Sequence, residues 1–538
     1  MTGERLGGHA VVEQLLELGA DRGFAVPGES YLAVLDGLYD VANRFDLITA
    51  RQEGGAAMMA AAHGKLTGKP GIALVTRGPG ATNASIGVHI ASQDASPMLL
   101  LVGQVPTDQL DSRAFQEIDY RAMFGSAAKA VYQPIRADRL PEVVTRAYRT
   151  AVSGEPGPVV LALPEDVLMT NTAAPVLACT NSPTLSPTQS PSPAAIADVV
   201  DRLARAERPL IVAGGSGWDR PAVDALRRFA EAGGYPVATA VRQQDLISHD
   251  SPVRVGTFGL ATTPGLADVA SEADLILLIG SRPDALTAAD GDWLRRSALR
   301  ATLIHVHPDP LAGNALNADL TVTAAPTTFA PTLAGHSLPA KADPDWLSRL
   351  RCTLDEAAAA PVPGGDPRPF MDVLEPRLPE DAILTAGAGA YTVWHQRFHA
   401  YRHFPSQVSS QSGAMGYGLP AAISAKLAHP EREVVAFAGD GCFAMNGQEL
   451  STAVRYGLGI TVVVVNNEVY GTIRGHQRRE FPGRPSGTAL QNPDFAALAR
   501  AHGAHGATVS TPEEFASALD ARPGGRTPSL IEVDFPYV

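Results

Sequence analysis

The stretches VVAFAGDGC at residues 434–442 and TVVVVNN at residues 461–467 carry the most information about the fold. Each begins with an unbroken apolar run and ends in small or polar residues. Such runs are typical of strands covered on both faces, as in parallel sheets. Residues 448–456 between them have a helical pattern, so the segment predicts one strand–helix–strand crossover. A right-handed crossover favours two adjacent, parallel strands.

Asp440 and Asn467 follow these two predicted strands and lie 27 positions apart. They should therefore emerge side by side at one sheet edge, where their carboxylate and amide oxygens suit Mg²⁺ completed by phosphate oxygens and water. Gly439 and Gly441 let the backbone approach a phosphate, and Gly441 and Cys442 lead toward a helix whose first N–H groups favour an anion. The pair predicts a Mg²⁺–diphosphate site, although either piece alone reads as a turn or a loop.

Similar apolar runs recur along the rest of the chain. They are Gly71–Val75, Met98–Val102, Leu210–Ala213, Leu275–Ile279 and Thr302–Val306. They alternate with helical patterns, which predicts an α/β fold of three doubly wound parallel-sheet domains. Stretches rich in Pro, Ser and Gly predict linkers at 171–194 and 336–366, the second with one short helical segment. The expected domains are therefore 1–170, 195–335 and 367–538.

Composition excludes several classes of protein. A length of 538 residues with 45% hydrophobic residues provides a core for each domain, and 43 basic against 56 acidic residues give a net charge of −13. That sign argues against a nucleic-acid-binding protein. Cys179, Cys352 and Cys442 are too dispersed for a disulfide framework or a Cys-rich zinc site. With no apolar run near the roughly 20 residues of a membrane span, we expect a cytoplasmic protein.

Glu53 is the candidate acid–base residue of the first domain. It stands between a predicted strand and the helical stretch GGAAMMAAAHG at residues 54–64. On its own, a Glu in this position reads as a charge that interacts favourably with the helix dipole. In a poorly solvated pocket, the same carboxyl group could take part in proton transfer.

Residues 51–83 together with the GDG and Asn-Asn pair resemble the acetolactate synthase group of thiamine diphosphate enzymes, and the resemblance covers nearly the whole chain. It implies that the three domains are the pyrimidine-binding, middle and diphosphate-binding domains. It also implies that Glu53 hydrogen-bonds N1′ of the aminopyrimidine, and that Asp440, Asn467 and the carbonyl of Val469 bind the metal. In SGAMGYG at 412–418, Met415 is the implied apolar wedge that bends the cofactor, although without the family it reads as core filling.

The full set of cofactor-binding residues follows from the same resemblance. It comprises Pro27, Gly28, Glu53, Asn83, Gly413, Met415, Gly439, Asp440, Gly441, Cys442, Asn467, Tyr470 and Gly471. The resemblance further implies a homodimer or homotetramer, in which each cofactor lies between the first domain of one subunit and the third domain of another.

The substrate pocket is less well defined. Phe115, Gln116 and Lys129 resemble positions that reach toward the substrate, with Gln116 also a candidate catalytic residue, but they could equally lie on the surface. The Met and Trp of branched-chain synthases are replaced by Thr472 and His476. The Asp-Asp-Arg element of the middle domain is replaced by RPDAL at 282–286, which argues against branched-chain synthesis and against FAD binding.

The favoured function is a thiamine diphosphate- and Mg²⁺-dependent enzyme that decarboxylates a 2-oxo acid, or cleaves a C–C bond next to a carbonyl, and transfers the acyl anion equivalent to a carbonyl acceptor. A simple decarboxylase or lyase of the benzoylformate decarboxylase or benzaldehyde lyase type is the alternative, with His63, His89 or His476 as proton donor. A non-catalytic relative would not need to retain Glu53. A nicotinamide-binding protein is suggested only by GGSG at 214–217, which lacks the full GxGxxG fingerprint.

Overall fold

The structure is a computed structural model that describes residues 4–178, 190–259, 263–282, 294, 300–312, 317–336, 343–362 and 364–536. Within these residues, three six-stranded parallel sheets are each accompanied by helices, which confirms the predicted fold class. Residues 179–189 of the first predicted linker, which include Cys179, and residues 283–286 lie outside the described residues. The predicted domain boundaries stay a prediction.

The first unit begins the chain. Its strands are β1 (Arg5–Leu6), β2 (Arg22–Ala25), β3 (Asp46–Thr49), β4 (Gly71–Val75), β5 (Met98–Gln104), β6 (Ala130–Tyr132), β7 (Pro158–Pro164) and β8 (Asn171–Thr172). Its helices are α1 (Gly7–Glu17), α2 (Leu32–Asp40), α3 (Glu53–Thr67), α4 (Pro79–Gln93), α5 (Tyr120–Phe124), α6 (Leu140–Val152) and α7 (Glu165–Met169). The sheet has the order β3-β2-β4-β5-β7-β6, and β1 and β8 form a separate antiparallel ribbon.

The middle unit follows. Its strands are β9 (Pro209–Ala213), β10 (Val237–Thr239), β11 (Arg254–Thr257), β12 (Leu275–Ile279), β13 (Thr302–His307) and β14 (Leu320–Thr323). Its described helices are α8 (Pro193–Arg205), α9 (Arg220–Gly233), α10 (Leu266–Ala270), α11 (Pro326–Ala334) and α12 (Pro344–Ala359). The sheet order is β11-β10-β9-β12-β13-β14. Helix α12 runs through the second predicted linker and is longer than expected there, because Trp346 and Leu350 are buried in the middle core.

The third unit ends the chain. Its strands are β15 (Ile383–Ala386), β16 (Gln407–Ser409), β17 (Val434–Gly439), β18 (Thr461–Asn466), β19 (His505–Val509) and β20 (Ser529–Asp534). Its helices are α13 (Arg368–Leu374), α14 (Val393–Phe398), α15 (Gly418–Ala428), α16 (Asp440–Phe443), α17 (Leu450–Tyr456), α18 (Gly471–Glu480), α19 (Phe495–Ala501) and α20 (Pro512–Asp520). The sheet order is β16-β15-β17-β18-β20-β19, so the predicted crossover places β17 and β18 side by side in parallel register.

The first and third units share one hydrophobic core. Helix α3 is buried along residues 54–64 and packs against both α4 and α15. Its small residues allow this close packing: a side-chain carbon added at Gly87 of α4 would lie 2.4 Å from the Cβ of Ala57. Helix α3 begins at Glu53, so this shared core fixes the start of the helix that carries the candidate acid–base residue. No helix in the described part of the chain is long and apolar enough to cross a membrane.

Candidate active site

A cavity of about 260 Å³ lies at the carboxyl edge of the third sheet. Strands β17 and β18 are hydrogen-bonded neighbours, with Gly439 aligned with Val465. Asp440 and Asn467 follow these strands, and both line the cavity. The structure therefore brings together the two candidate oxygen ligands that were predicted to lie at one edge.

The carboxylate of Asp440 is held firmly. The residue is 4% exposed and begins the short helix α16. One of its oxygens accepts a hydrogen bond from the Gly441 N–H at 2.8 Å, and the other accepts one from Nδ2 of Asn492, also at 2.8 Å. Nδ2 of Asn492 also donates to Oδ1 of Asn466 at 2.9 Å, which ties the ends of both strands together. The carboxylate is thus oriented before any ligand binds.

The loop after β18 turns sharply at Glu468, whose φ of 54° lies in the left-handed region. Oδ1 of Asn467 accepts the N–H of Val469 at 3.1 Å. Val469 lies opposite Ala489 in an antiparallel bridge. The backbone hydrogen bonds of this bridge are made by the residues on either side of the pair. In a bridge of this type the N–H and C=O of Val469 itself point away from Ala489. Val469 lines the cavity, so its carbonyl can serve as a third oxygen ligand.

Two glycines at this edge leave room for neighbouring tyrosine rings. A side-chain carbon at Gly441 would lie 2.5 Å from the ring of Tyr470, and one at Gly439 would lie 2.9 Å from the ring of Tyr391. Contacts this short are not tolerated, so only glycine fits at either position. Mg²⁺ is bound in proteins through few carboxylates together with phosphate oxygens, and the donor set of this cavity fits such a metal–diphosphate pair.

Met415 reaches the same cavity from the loop after β16. It lies between Gly413 and Gly416, whose φ values of 65° and 81° bend the loop sharply. The buried Sγ of Cys442 accepts the N–H of Gly416 at 3.1 Å and lies 3.1 Å from the hydroxyl of Tyr391. Cys442 therefore fastens the Met415 loop to the glycine-rich edge. Gly413, Tyr470 and Gly471 complete the predicted residues on this wall.

Glu53 occupies the corresponding edge of the first sheet. It is the first residue of α3, and the side chain of Gln52 caps this helix by accepting the Gly55 N–H at 3.0 Å. The carboxylate of Glu53 accepts a hydrogen bond from Nδ2 of Asn83 at 3.0 Å. A side-chain carbon at Gly80 would lie 3.5 Å from the same carboxylate, so the first turn of α4 lies next to it.

The loop that carries Phe115 and Gln116 reaches this edge as well. Asp111, Arg113 and Gln116 all have positive φ, and residues in that region cluster at functional sites. A side-chain carbon at Gly78 would lie 2.7 Å from the carbonyl oxygen of Gln116, so the loop contacts the start of α4. Phe115 is 75% exposed.

Other predicted residues are placed less uniformly. Pro27 and Gly28 follow β2 at the edge that holds Glu53, and a side-chain carbon at Gly28 would lie 2.4 Å from Cβ of Thr76. Lys129 immediately precedes β6, at the opposite edge of this sheet, where its ammonium donates to the carbonyls of Ser153 and Glu155. The structure therefore does not bring Lys129 to Glu53.

The cavity wall and the first unit are separate within one chain. All described residues that line the cavity belong to the stretch from Ala388 to Ile473, and Glu53 is not among them. Thr472 lies on the wall, whereas His476 lies one helical turn further along α18, where its side chain is 53% exposed and 2.7 Å from the guanidinium of Arg479.

The residues behind the alternative functions have ordinary structural surroundings. His63 is buried against Phe24, and this burial lowers its pKa to about 4. His89 is exposed on α4. In the middle unit, the side-chain amide of Gln243 pairs with both the N–H and the C=O of Gly215. The glycine loop thus has fewer backbone groups to offer a dinucleotide phosphate, which weakens the nicotinamide alternative.

Sequence patterns did not single out Asn492, Tyr391 or Glu449. Asn492 precedes Pro493 and reads as a turn residue, although it orients Asp440. Tyr391 and Glu449 are buried polar side chains, and only their contacts in the folded chain distinguish them.

Comparisons with known proteins agree with this geometry. Three family models match: the N-terminal TPP binding domain of thiamine pyrophosphate enzymes at residues 5–123, the central domain at 196–333 and the C-terminal TPP binding domain at 387–533. Thiamine pyrophosphate is another name for thiamine diphosphate. The large subunit of acetolactate synthase isozyme 2 from Escherichia coli is 31% identical over 98% of this chain and 95% of its own length. The acetolactate synthase large subunit of Corynebacterium glutamicum is 30% identical over 98% and 86%, and the probable large subunit of Methanocaldococcus jannaschii is 31% identical over 98% and 91%.

Proposed function

Because this chain belongs to the thiamine pyrophosphate enzyme family and is acetolactate synthase-like, we propose that it is a Mg²⁺-dependent carboligase. It would decarboxylate a 2-oxo acid, or cleave a C–C bond next to a carbonyl, and pass the acyl unit to a carbonyl acceptor. The observation that carries this proposal is the pairing of Asp440 and Asn467 on one cavity wall. When bound, thiamine diphosphate supplies the carbon nucleophile, so no Ser or Cys nucleophile is needed.

Each part of the proposed site has a defined task. Asp440, Asn467 and the carbonyl of Val469 would hold the metal, and the backbone around Gly439, Gly441 and Cys442 would receive the diphosphate. Glu53 would hold a proton at N1′ of the aminopyrimidine, with Asn83 fixing its carboxylate. Met415 would supply an apolar wall that bends the cofactor. Gln116 and Phe115 would face the substrate, and we leave Lys129 out of the pocket.

We extend the proposal to two further properties. The replaced Asp-Asp-Arg element and the pairing of Gln243 with the glycine loop of the middle unit argue against FAD binding. The protein acts in the cytoplasm, which is supported by Cys352 and Cys442, both free thiols.

The active unit is expected to be at least a homodimer. The cavity wall contains no described residue of the first unit, which supports a site completed by Glu53 of one chain and Asp440 of another. Several apolar side chains near Glu53 and near the cavity wall are exposed and available for such an interface. They include Ile86, Met445 and Ile473. Sedimentation velocity at assay concentration, with activity measured on each fraction, should find activity only in dimers or tetramers. A fully active monomer would contradict this expectation.

The substrate panel tests the proposed function directly. The purified protein with thiamine diphosphate and Mg²⁺ is expected to release CO₂ from at least one 2-oxo acid and to form a ligated product when an aldehyde or ketone is added. Because Thr472 offers a hydroxyl where branched-chain synthases have Met, 2-oxobutyrate should be a poor acceptor and more oxygenated carbonyl compounds better ones. Release of the free aldehyde with no ligated product, with or without an added acceptor, would favour the simple decarboxylase or lyase instead.

Variants at the two replaced positions refine this expectation. Thr472→Met adds an apolar side chain to the cavity wall, and it should shift the acceptor preference toward small 2-oxo acids by about 10-fold. His476→Trp should act in the same direction only if α18 turns this side chain toward the substrate in the assembled enzyme. If the wild-type protein makes acetohydroxybutyrate efficiently and neither variant changes the acceptor ratio, these positions do not shape the pocket.

A further inference from the structure

Glu449 is a buried carboxylate that the proposed reaction does not use. It is 0% exposed and lies in the turn Gly447–Glu449, just before α17. Its carboxylate accepts hydrogen bonds from the backbone N–H of Arg51 at 3.1 Å, the backbone N–H of Gln52 at 3.0 Å and the hydroxyl of Thr452 at 2.6 Å. A third-unit side chain thus binds two consecutive amides of the first unit.

The surroundings are shaped to admit this carboxylate. A side-chain carbon at Gly55 would lie 2.5 Å from Oε1 of Glu449, so position 55 must be glycine for the carboxylate to fit. Burial raises the pKa of Glu449, while the hydrogen bonds from Thr452, Arg51 and Gln52 lower it. Hydrogen bonds to a carboxylate are stronger than those to a neutral acceptor, and an unpaired buried N–H is costly.

The two amides lie immediately before the residue that matters for proton transfer. Arg51 and Gln52 connect β3 to α3, and Glu53 is the next residue in the chain. The side chain of Gln52 also caps helix α3. By holding the backbone of Gln52, Glu449 therefore also holds the start of this helix. The direction of the Glu53 side chain depends on this short segment.

We propose that Glu449 is a positioning residue for Glu53, acting through the amides of Arg51 and Gln52. The inference rests on the proposed function for the role of Glu53, but the contact itself does not. Glu449 lies between Asp440 and Asn467 in the chain, on the same crossover that carries the proposed metal ligands. If each cofactor lies between two chains, Glu449 connects the metal end of one site to the acid–base residue of the other.

The experiment compares Glu449→Ala and Glu449→Gln, with Thr452→Val as the matched control that removes only the hydroxyl bond. In cofactor-free protein, amide hydrogen exchange at Arg51 and Gln52 should be at least about 10-fold faster in Glu449→Ala. In cofactor-loaded sites, deuterium exchange at thiazolium C2 should be about 10- to 100-fold slower, since small displacements of a reacting group have effects of this size. In Glu449→Gln, the side-chain amide oxygen can still accept both backbone N–H groups, so this variant should stay within about threefold of wild type, as should Thr452→Val.

The outcomes separate the inference from the proposed function. If Glu449→Ala lowers only the unfolding temperature, while filled sites exchange the C2 proton at the wild-type rate, Glu449 is a structural bond and the inference is overturned. Glu449→Asp withdraws the carboxylate by one methylene and serves the same comparison if the alanine variant does not fold. A wild-type protein that binds no thiamine diphosphate would refute the proposed function, whereas the amide exchange of the cofactor-free variants would still report on the contact.

Discussion

Replacing Asp440 by alanine is expected to abolish saturable binding of thiamine diphosphate over the concentration range in which the wild-type protein saturates. The carboxylate is nearly buried and oriented by two hydrogen bonds, so no other described acidic side chain on the cavity wall can take its place. Without this ligand the metal, and with it the diphosphate, loses its main protein contact. Titration calorimetry with thiamine diphosphate, in Mg²⁺ and again in excess chelator, measures the effect.

Two further variants sharpen this test. Asn492→Ala leaves the carboxylate in place but removes one of its hydrogen bonds, so the affinity should fall by about 10- to 100-fold, as is usual for partners of metal ligands. Asp534→Ala removes an exposed carboxylate at the end of β20, at the same sheet edge, and should leave the affinity unchanged. Unaltered affinity in Asp440→Ala, or in the wild type with chelator, would show that the metal site lies elsewhere.

Replacing Glu53 by glutamine is expected to slow deuterium exchange at thiazolium C2 of the bound cofactor by about 10²- to 10⁴-fold, the usual contribution of a positioned acid–base group. Glutamine keeps the size of the side chain and can still contact Asn83, so folding and most of the cofactor affinity should persist. Exchange quenched at short times and read by nuclear magnetic resonance provides the rate.

The control for this variant is Glu165→Gln. Glu165 follows β7 at the same edge of the first sheet, and its carboxylate pairs with Arg77. Deuterium exchange at thiazolium C2 in the Glu165→Gln variant should proceed at the wild-type rate. If Glu53→Gln also matches the wild type, Glu53 is no more than a favourable charge at the start of α3.

The sheets could be predicted because buried parallel strands leave a local signal. The run Leu275–Ile279 was predicted with the bounds that the structure has. The apolar runs that open the stretches at 434–442 and 461–467 are VVAFA and TVVVV, and each ends one residue before the observed strand. Since the handedness of the crossover fixes which strands are neighbours, Asp440 and Asn467 could be placed together before the structure was known.

Contacts between distant residues left no such signal. Asn492 lies 52 positions from Asp440, and Glu449 lies 398 positions from Arg51, so tertiary packing alone brings these pairs together. The location of Lys129 could not be predicted for a related reason. The short strand β6 was not recognised from the sequence, so nothing indicated that Lys129 precedes a strand and lies at the edge away from Glu53.

The core shared by the first and third units has a consequence for synthesis of the chain. Helix α3 has small and apolar residues on every side, because α4 covers one face and α15 covers another. The residues of α15 leave the ribosome long after those of α3, so the earlier helix emerges without its final cover. Contacts of such long range form slowly and leave apolar surface exposed in the meantime. We therefore expect nascent chains of this protein to depend on chaperones until their last third has been translated.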